Sequence, residues 1–380
     1  MRTTKILKAT MVSISVLALS AAGAAESPQY PAQAKVTQAL KDGRRVRIVY
    51  FGGSITWGAT ASDPLKTSWR ALVTSALEAK FPDAHIQTID AAIGSQPSKL
   101  GVFRVERDVL PYKPDLCFVE FAVNDWDAKD SQETMEGIVR KLRACRKDMA
   151  IVLVIIGSVG LDGNYDSPVA GQQIELANHY GLPTIDVHSA VKAKLDGGMK
   201  TADILTDGCH PNDAGYRLYA DIILAELGRL ADARGPAKPV PDKPLTPNRY
   251  ESATMVELAK LPSLGGWKAA NPSVVGTWFD QQPSRWLSSA VVPGTNGAEL
   301  ATEVPCTGLG LYYELTGGGG SIVLAADGKT VQEIKTDQTF PFQRVGYSFT
   351  LLEGPAQKRK VTLTAPQAAN TKAAYLLYTR

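Results

Sequence analysis

The sequence is poor in cysteine and has almost no charge imbalance. Four cysteines in 380 residues are too few for a disulfide scaffold, and their positions in the sequence do not determine which of them would pair. A formal net charge of +3 is too small to indicate binding to nucleic acid or to an anionic membrane surface. The remaining composition, 44% hydrophobic and 21% charged, is that of a globular chain long enough for about two domains.

Long apolar runs are missing after the first 25 residues. Residues 1–25 combine a basic start, an apolar stretch over 9–22 and an Ala22-Gly23-Ala24 sequence typical of a cleavage site, which predicts a secretory signal peptide. An uncleaved membrane anchor is the alternative. No later segment approaches the roughly 20 apolar residues of a membrane span. We therefore expect a secreted or periplasmic protein without stable membrane insertion after cleavage.

Strand-like and helix-like segments alternate over residues 26–230, and several of the strands are apolar throughout. This pattern predicts an α/β fold, a three-layer α/β/α sandwich around a parallel sheet that is covered on both faces. The expected strands lie at 46–51, 84–92, 116–123, 150–156 and 183–187, and the expected helices at 63–81, 94–110, 132–146, 167–180 and 212–230.

The composition changes after residue 230. Residues 231–248 are polar and rich in proline, which indicates a semi-rigid linker. Residues 249–380 contain short β-rich runs separated by glycine-containing turns, so a small C-terminal β-sandwich domain is expected. Those runs are 308–315, 321–325, 345–352, 361–364 and 374–378.

The first candidate functional residue is Ser54, in the stretch F-G-G-S-I-T-W-G. A buried strand followed by the pair Gly52-Gly53 predicts a sharp turn that presents the serine hydroxyl at the carboxyl end of the sheet, where α/β folds bind ligands. The alternative interpretation is a loop in which Ser54 caps a helix.

A second stretch, T-D-G-C-H-P-N-D, places Asp207 three residues before His210. The carboxylate can accept the Nδ1 proton of the imidazole and leave Nε2 as a base, which a serine hydroxyl needs to become a nucleophile at neutral pH. A turn or capping histidine is the alternative.

Acyl transfer also needs hydrogen-bond donors for the oxyanion. The sequence offers three at expected strand ends: the N–H of Ser54, the N–H of Gly94 and the side-chain amide of Asn124. A loop glycine with positive φ and an Asx-turn are the alternatives for Gly94 and Asn124, respectively. No H-E-x-x-H or paired C-x-x-C spacing is present, so neither a metal nor another cofactor is expected.

These four blocks, with Ser, Gly, Asn and His in this order over about residues 47–230, resemble the SGNH hydrolase superfamily, also called the GDSL esterases. The resemblance implies that Ser54 is the nucleophile, Asp207 and His210 complete the triad, and Ser54, Gly94 and Asn124 form the oxyanion hole. Two positions depart from the family pattern: Gly53 replaces the aspartate of G-D-S, and Ala122 replaces the glycine of G-x-N-D. The F-G-G-S-I-T block looks like that of secreted carbohydrate esterases in this superfamily.

We therefore expect a serine esterase that removes small acyl groups, acetyl above all, from a carbohydrate. Trp57 and Trp126 could line the substrate site, and an acylated carbohydrate is the only partner expected. Tryptophans 267, 278 and 286 could be exposed and stack on sugars, or pack in a core. The alternatives for the function are a lipase or thioesterase of the same superfamily, an inactive glycan-binding protein, and an acyl transferase. The glycan, the acyl position, the role of the β-rich domain and the oligomeric state are left open by the sequence.

Overall fold

A computed structural model of the protein describes residues 30–126, 130–233, 235–236, 241–275, 280, 282–338 and 344–380. The signal peptide expected over residues 1–25 and Trp278 lie outside these residues.

The first unit is a five-stranded parallel sheet flanked by helices. Its elements are α1 (Pro31–Lys41), β1 (Arg45–Gly52), α2 (Ser54–Trp57), α3 (Trp69–Lys80), β2 (His85–Asp90), α4 (Ser98–Asp108), β3 (Leu116–Glu120), α5 (Ser131–Cys145), β4 (Ala150–Ile155), β5 (Ser158–Val159), β6 (Tyr165–Asp166), α6 (Ala170–Tyr180), β7 (Thr184–Asp186), α7 (Val187–Asp196), α8 (Thr201–Ile204) and α9 (Asp213–Asp232). The strand order is β2-β1-β3-β4-β7, and β5 and β6 form a separate hairpin. The expected parallel sheet and α/β/α layers are confirmed.

Local sequence explains where the helices begin. Thr67 and Ser68 are the two candidate caps that the sequence offers in the segment 63–81, and the Ser68 hydroxyl caps α3 by accepting a hydrogen bond from the N–H of Ala71 at 3.3 Å. The residues before Ser68 form turns. Asn212 caps α9 in the same way, accepting from the N–H of Gly215 at 3.0 Å. Helix α1, helices α7 and α8 and the hairpin β5–β6 were not expected from the sequence.

The second unit contains two antiparallel sheets, as expected for a β-rich domain. One has the order β15-β12-β17-β10-β9, with β8 also paired to β17, and the other has the order β11-β16-β13-β14. The elements are β8 (Thr254–Glu257), β9 (Trp267–Ala270), α10 (Pro283–Trp286), β10 (Ala290–Pro293), β11 (Ala298–Cys306), β12 (Gly308–Leu315), β13 (Ser321–Ala326), β14 (Lys329–Lys335), β15 (Arg344–Leu351), β16 (Gln357–Ala365) and β17 (Ala373–Thr379).

Strand β12 is buried on both faces because its sheet contacts two different layers. Leu309 and Leu311 pack into the core between the two antiparallel sheets. Tyr312 points the other way, into an apolar cluster shared with α4 and α5 of the first unit. Phe103 of α4 and Phe349 of β15 meet in this cluster with 4.8 Å between ring centroids. The β-rich unit therefore covers the outer side of the α4–α5 layer.

The segment 241–248 also contacts this layer. The backbone N–H groups of Leu245 and Thr246 donate to the carboxylate of Glu136 in α5, at 2.6 and 2.8 Å. Helix α9 ends at Asp232, and β8 opens the second unit at Thr254.

All four cysteines are free. Within the described ranges, no helix combines the length and the apolar character needed to cross a membrane.

Candidate active site

Ser54 is the first residue of the short helix α2, directly after β1. It is almost completely buried, and its hydroxyl does not cap the helix but lies 2.9 Å from Nε2 of His210. Gly53 before the helix is extended, and Gly58, at the other end of α2, is left-handed with φ of 105° and ends the helix after one turn. The carboxyl end of β1 is thus followed by a short helix that presents the hydroxyl.

Asp207 and His210 lie in one turn before α9. Nδ1 of His210 is 2.8 Å from Oδ2 of Asp207, and Oδ1 accepts the backbone N–H groups of His210 at 2.7 Å and Cys209 at 3.1 Å. The backbone of the turn therefore fixes the carboxylate, and the carboxylate orients the ring. A continuous hydrogen-bonded chain runs from Asp207 through His210 to Ser54.

The charges around this turn are set by hydrogen bonding and burial. Partial burial acts to raise the pKa of Asp207, but the hydrogen bonds from His210 and the N–H of Cys209 outweigh it, and the pKa is lowered. Burial and the neighbouring carboxylates of Asp207 and Glu120 raise the pKa of Cys209 to about 12. At neutral pH the aspartate is charged, and the thiol keeps its proton.

Gly94 lies in the loop that follows β2, next to the serine turn. The N–H of Ile93 donates to the carbonyl of Gly52 at 3.1 Å, which ties this loop to the end of β1. The left-handed residue of the loop is Ser95, with φ of 58°, and not Gly94. The alternative interpretation of Gly94 as a positive-φ glycine is therefore wrong.

Asn124 follows β3 and lies against Gly53. A methyl group added at Gly53 would fall 1.9 Å from Oδ1 of Asn124 and 3.7 Å from its Nδ2. Since the backbone of Gly53 is extended, with φ of −99°, the glycine is needed for the close approach of the amide and not for backbone freedom. In this protein the contact leaves no room for a side chain at the position where the family pattern has an aspartate.

Trp57 and Trp126 are half-buried and stand beside these residues. The carbonyl of Trp57 accepts two hydrogen bonds from the Arg70 guanidinium, at 3.1 and 3.2 Å. The Trp126 ring packs on the β5–β6 hairpin, 3.1 Å from the position of a methyl group added at Gly160. Val159 of the same hairpin donates its N–H to the carbonyl of Gly208 at 2.8 Å, so the hairpin connects Trp126 to the histidine turn.

Of the two interpretations of the tryptophans in the β-rich unit, exposure and packing in a core, the structure supports packing for Trp267 and Trp286. Trp267 is 3% exposed, and its indole N–H donates to the carbonyl of Leu363. Trp286 is 5% exposed and donates to the carbonyl of Asp280 at 2.6 Å. Both rings pack internally, which was the alternative.

Two buried carboxylates beside the site were not singled out from the sequence. Glu120, the last residue of β3, accepts from the Thr56 hydroxyl at 2.8 Å, and burial raises its pKa to about 7. Asp125 accepts from the N–H of Ser98 at 2.9 Å, and burial raises its pKa to about 7 as well. A single carboxylate in the apolar run L-C-F-V-E-F-A-V was the signal that could have identified Glu120.

Residues 50–218 match the GDSL-like lipase/acylhydrolase family. The chain is similar to an acetylxylan esterase of Geobacillus stearothermophilus, with 23% identity over 212 residues that cover 50% of this chain and 97% of that protein. An acetylxylan esterase of Xylanibacter ruminicola is 26% identical over 150 residues, which cover 32% of this chain and 30% of that protein.

Among solved structures, a two-domain esterase (CEX) active on acetylated mannans, co-crystallised with mannopentaose, is similar over both units. Its TM-score is 0.79 at 24% sequence identity, and the likeness covers 94% of this chain and 96% of that one. A likeness at this identity establishes the fold, namely an SGNH-type α/β/α unit followed by a β-rich unit.

The family match confirms the recognition made from the sequence blocks and the expected enzyme class, a carboxylic ester hydrolase. The match lies in the unit that carries Ser54, Asp207 and His210, so the chain is similar to GDSL-like lipases and acylhydrolases through that unit.

Proposed function

We propose that this protein is a secreted carbohydrate O-acetylesterase that works through a serine acyl-enzyme. The observation that carries the proposal is the hydrogen-bonded chain from Asp207 to His210 to Ser54, with distances of 2.8 and 2.9 Å. A buried serine hydroxyl in contact with an imidazole that a carboxylate orients is the arrangement that nucleophilic catalysis needs.

In the first half-reaction, Oγ of Ser54 attacks the ester carbonyl while Nε2 of His210 takes its proton. Asp207 stabilises the imidazolium that forms. The N–H groups of Ser54 and Gly94 and the side-chain amide of Asn124 donate to the oxyanion of the tetrahedral intermediate, and each such donor is worth about 10² to 10³ in turnover. The intermediate collapses when His210 protonates the departing sugar hydroxyl.

In the second half-reaction, His210 takes a proton from water, which attacks the acyl group on Ser54. The same donors stabilise the second oxyanion, and His210 returns the proton to Oγ when acetate leaves. Each proton accepted by His210 is given back, so the enzyme ends in its starting state.

The choice of an acetylated carbohydrate is supported by the relatives. Two similar proteins are acetylxylan esterases, and a structure with the same two-unit fold is an esterase active on acetylated mannans. Trp57 and Trp126, three residues after Ser54 and two residues after Asn124 in the sequence, are half-buried and offer apolar faces on which a sugar can stack. Secretion follows from the signal peptide expected at the start of the sequence.

The test is acetate release from acetylated mannan, acetylated xylan and acetylated bacterial polysaccharides, followed by chromatography. We expect release from at least one of them, a preference for p-nitrophenyl acetate over the octanoate, and a loss of at least about 10³ in turnover for Ser54→Ala and His210→Ala. The matched control for the histidine is His179→Ala, which should leave turnover unchanged, since the ring of His179 bonds the carbonyl of Lys243 and packs on Tyr180 instead of taking part in the chain from Asp207 to Ser54.

Preference for octanoate would instead identify a lipase, and a protein inert towards every ester would identify a glycan-binding protein. Retained turnover in Ser54→Ala would contradict the acyl-enzyme.

Secretion is checked separately by fractionating the native host and sequencing the N-terminus of the mature protein, which should begin near residue 25. A full-length chain in the cytoplasm would contradict it.

A further inference from the structure

Arg104 is a completely buried arginine close to the candidate active site, and the mechanism above does not use it. It lies on α4 between Phe103 and Val105, and its side chain is 0% exposed. An arginine is among the residues least often fully buried unless it has specific partners. Its partners therefore indicate what it does.

Two of those partners are backbone carbonyls at the ends of neighbouring strands. The guanidinium donates to the carbonyl of Ala91 at 2.7 Å and to the carbonyl of Gly52 at 3.3 Å. Gly52 precedes the Gly53-Ser54 turn, and Ala91 opens the loop that contains Gly94. One planar cation thus contacts both backbone segments whose N–H groups face the oxyanion in the proposed mechanism.

The guanidinium is held in place by aromatic rings from both units. Its carbon lies 4.6 Å from the ring centroid of Phe51 in β1 and 5.5 Å from that of Trp286 in the β-rich unit. A cation in contact with aromatic faces is stabilised electrostatically, most strongly where water is excluded. The orientation of Arg104 therefore depends partly on a residue of the second unit.

Arg285, next to Trp286, supports the same loop from outside. Its guanidinium donates to the carbonyl of Asp90 at 3.2 Å and to the carboxylate of Asp90 at 3.1 Å. Asp90 immediately precedes Ala91, and its carboxylate also pairs with Arg70 at 3.2 Å. Residues of α10 consequently brace the loop at Asp90 while Arg104 holds it at Ala91.

We propose that Arg104 is a positioning residue that sets the relative placement of the two oxyanion-hole loops, and that α10 of the β-rich unit holds this arrangement through Trp286 and Arg285. The inference rests on the proposed function, because it assigns to these contacts the geometry of the Ser54 and Gly94 N–H donors. It also gives the β-rich unit a role in turnover that needs no contact with the glycan.

The test compares Arg104→Lys with Arg107→Lys in the full chain, using p-nitrophenyl acetate. Lysine keeps the charge but cannot reach two carbonyls with one planar group, and a misplacement of about 1 Å can cost about 10²-fold in rate. We expect kcat to fall by about 10- to 10²-fold in Arg104→Lys with KM within about twofold, because binding of the small ester does not use the donors that the oxyanion uses.

Arg107 is the matched control because it is on the same helix and shares the carboxylate of Asp108 with Arg104, while its own guanidinium bonds Asp108 and stacks on Tyr375 instead of bonding the carbonyls of Gly52 and Ala91. Arg107→Lys should keep kcat within about twofold. Unchanged kcat in folded Arg104→Lys, or equal losses in both variants, would overturn the inference. If Arg104→Lys does not fold, the partly exposed Arg285→Gln decides: kcat should fall about threefold or more without a change in KM, and wild-type kcat would overturn the inference.

Failure of this inference can be distinguished from failure of the proposed function. An inactive Ser54→Ala together with a fully active Arg104→Lys would leave the acyl-enzyme in place and remove only the positioning role. An active Ser54→Ala would remove both.

Discussion

The two helical layers that flank the parallel sheet differ in what covers them. Helix α9 faces the sheet with residues at helical spacing, such as Tyr216, Tyr219, Ile223 and Leu227, and leaves its other side to solvent. Helix α5 is buried along most of its length because the β-rich unit covers its outer side. Charged residues on α9 therefore form a solvated face, whereas Glu133 and Glu136 on α5 bond residues 245–249, the segment that leads into the second unit.

The paired charges illustrate this difference. In the covered layer, Glu133 is 5% exposed and accepts from the Arg249 guanidinium, while Glu136 accepts from the backbone of Leu245 and Thr246. On α9, Arg217 and Asp221 are more than half exposed and 3.9 Å apart. The same residue types contribute to the association of the units in one place and to solubility in the other.

Removing the β-rich unit should have the largest effect. A chain that ends at Asp232 exposes the apolar outer side of α4 and α5, including Phe103, and leaves Glu133 and Glu136 without their partners. We expect loss of cooperative unfolding and loss of turnover on p-nitrophenyl acetate and acetylated polysaccharide alike, measured by circular dichroism and acetate release. A folded fragment that lost activity only on the polysaccharide would show that the α4–α5 layer does not depend on the β-rich unit for its stability.

A change at the edge of the sheet, between the two layers, should separate activity from stability. In Gly53→Ala, the new methyl group displaces the Asn124 amide from its position 1.9 Å away, so we expect kcat to fall by about 10²-fold, as for loss of one oxyanion donor. The urea midpoint should change little, because the backbone at Gly53 is extended. In a double-mutant cycle, Gly53→Ala should cost nothing further in an Asn124→Ala background; additive losses would contradict the displacement.

A single ion pair in each layer gives the next comparison. Arg249→Ala leaves a nearly buried carboxylate with only backbone donors, so we expect the free energy of unfolding to fall by about 1–3 kcal/mol, discounted because Arg249 is half exposed. Arg217→Ala on α9 should change it by less than about 0.5 kcal/mol. Both free energies are measured by urea unfolding at pH 7. Equal losses in the two variants would mean that burial of Glu133 does not strengthen its ion pair with Arg249.

The smallest effect concerns pH and the centre of the sheet. Because burial raises the pKa of Glu120 from 4.5 to about 7, the folded protein binds more protons than the unfolded chain between those values, and the free energy of unfolding should fall as pH rises through this window. Asp125 acts in the same direction. In Glu120→Gln, the fall in the free energy of unfolding between pH 5 and pH 8 should be smaller by about 1–2 kcal/mol. The same fall in the variant and the wild type would contradict the raised pKa of Glu120.

The candidate site was easier to predict from the sequence than the contact between the units. Ser54, Gly94 and Asn124 each follow a predicted strand, and Asp207 and His210 share one turn, so chain order was enough to expect them at one edge of the sheet. Arg104 and Glu133 could not be predicted in this way. Their roles depend on partners more than 30 residues away, such as Gly52 for Arg104 and Arg249 for Glu133, which no local pattern connects.

The elements of the fold also differ in how well local sequence pattern predicts them. The strand 308–315 was predicted with its observed bounds because it is apolar except for Glu314, and it is largely apolar because both of its faces are buried. Strand β14 was not predicted, since it is largely exposed and rich in polar residues. Helix α1 was missed as well, because its polar sequence offers only Val36 and Leu40 as buried apolar contacts.

The cover over α4 and α5 also has a consequence for biosynthesis. The two helices lie at residues 98–145, and the strands that cover them, β12, β15 and β17, lie at residues 308–379. A ribosome completes the helices long before it makes the covering strands, so the nascent chain carries an open apolar surface until its last segment emerges. Until those strands are made, chaperones are needed to keep the apolar surface from associating with other chains.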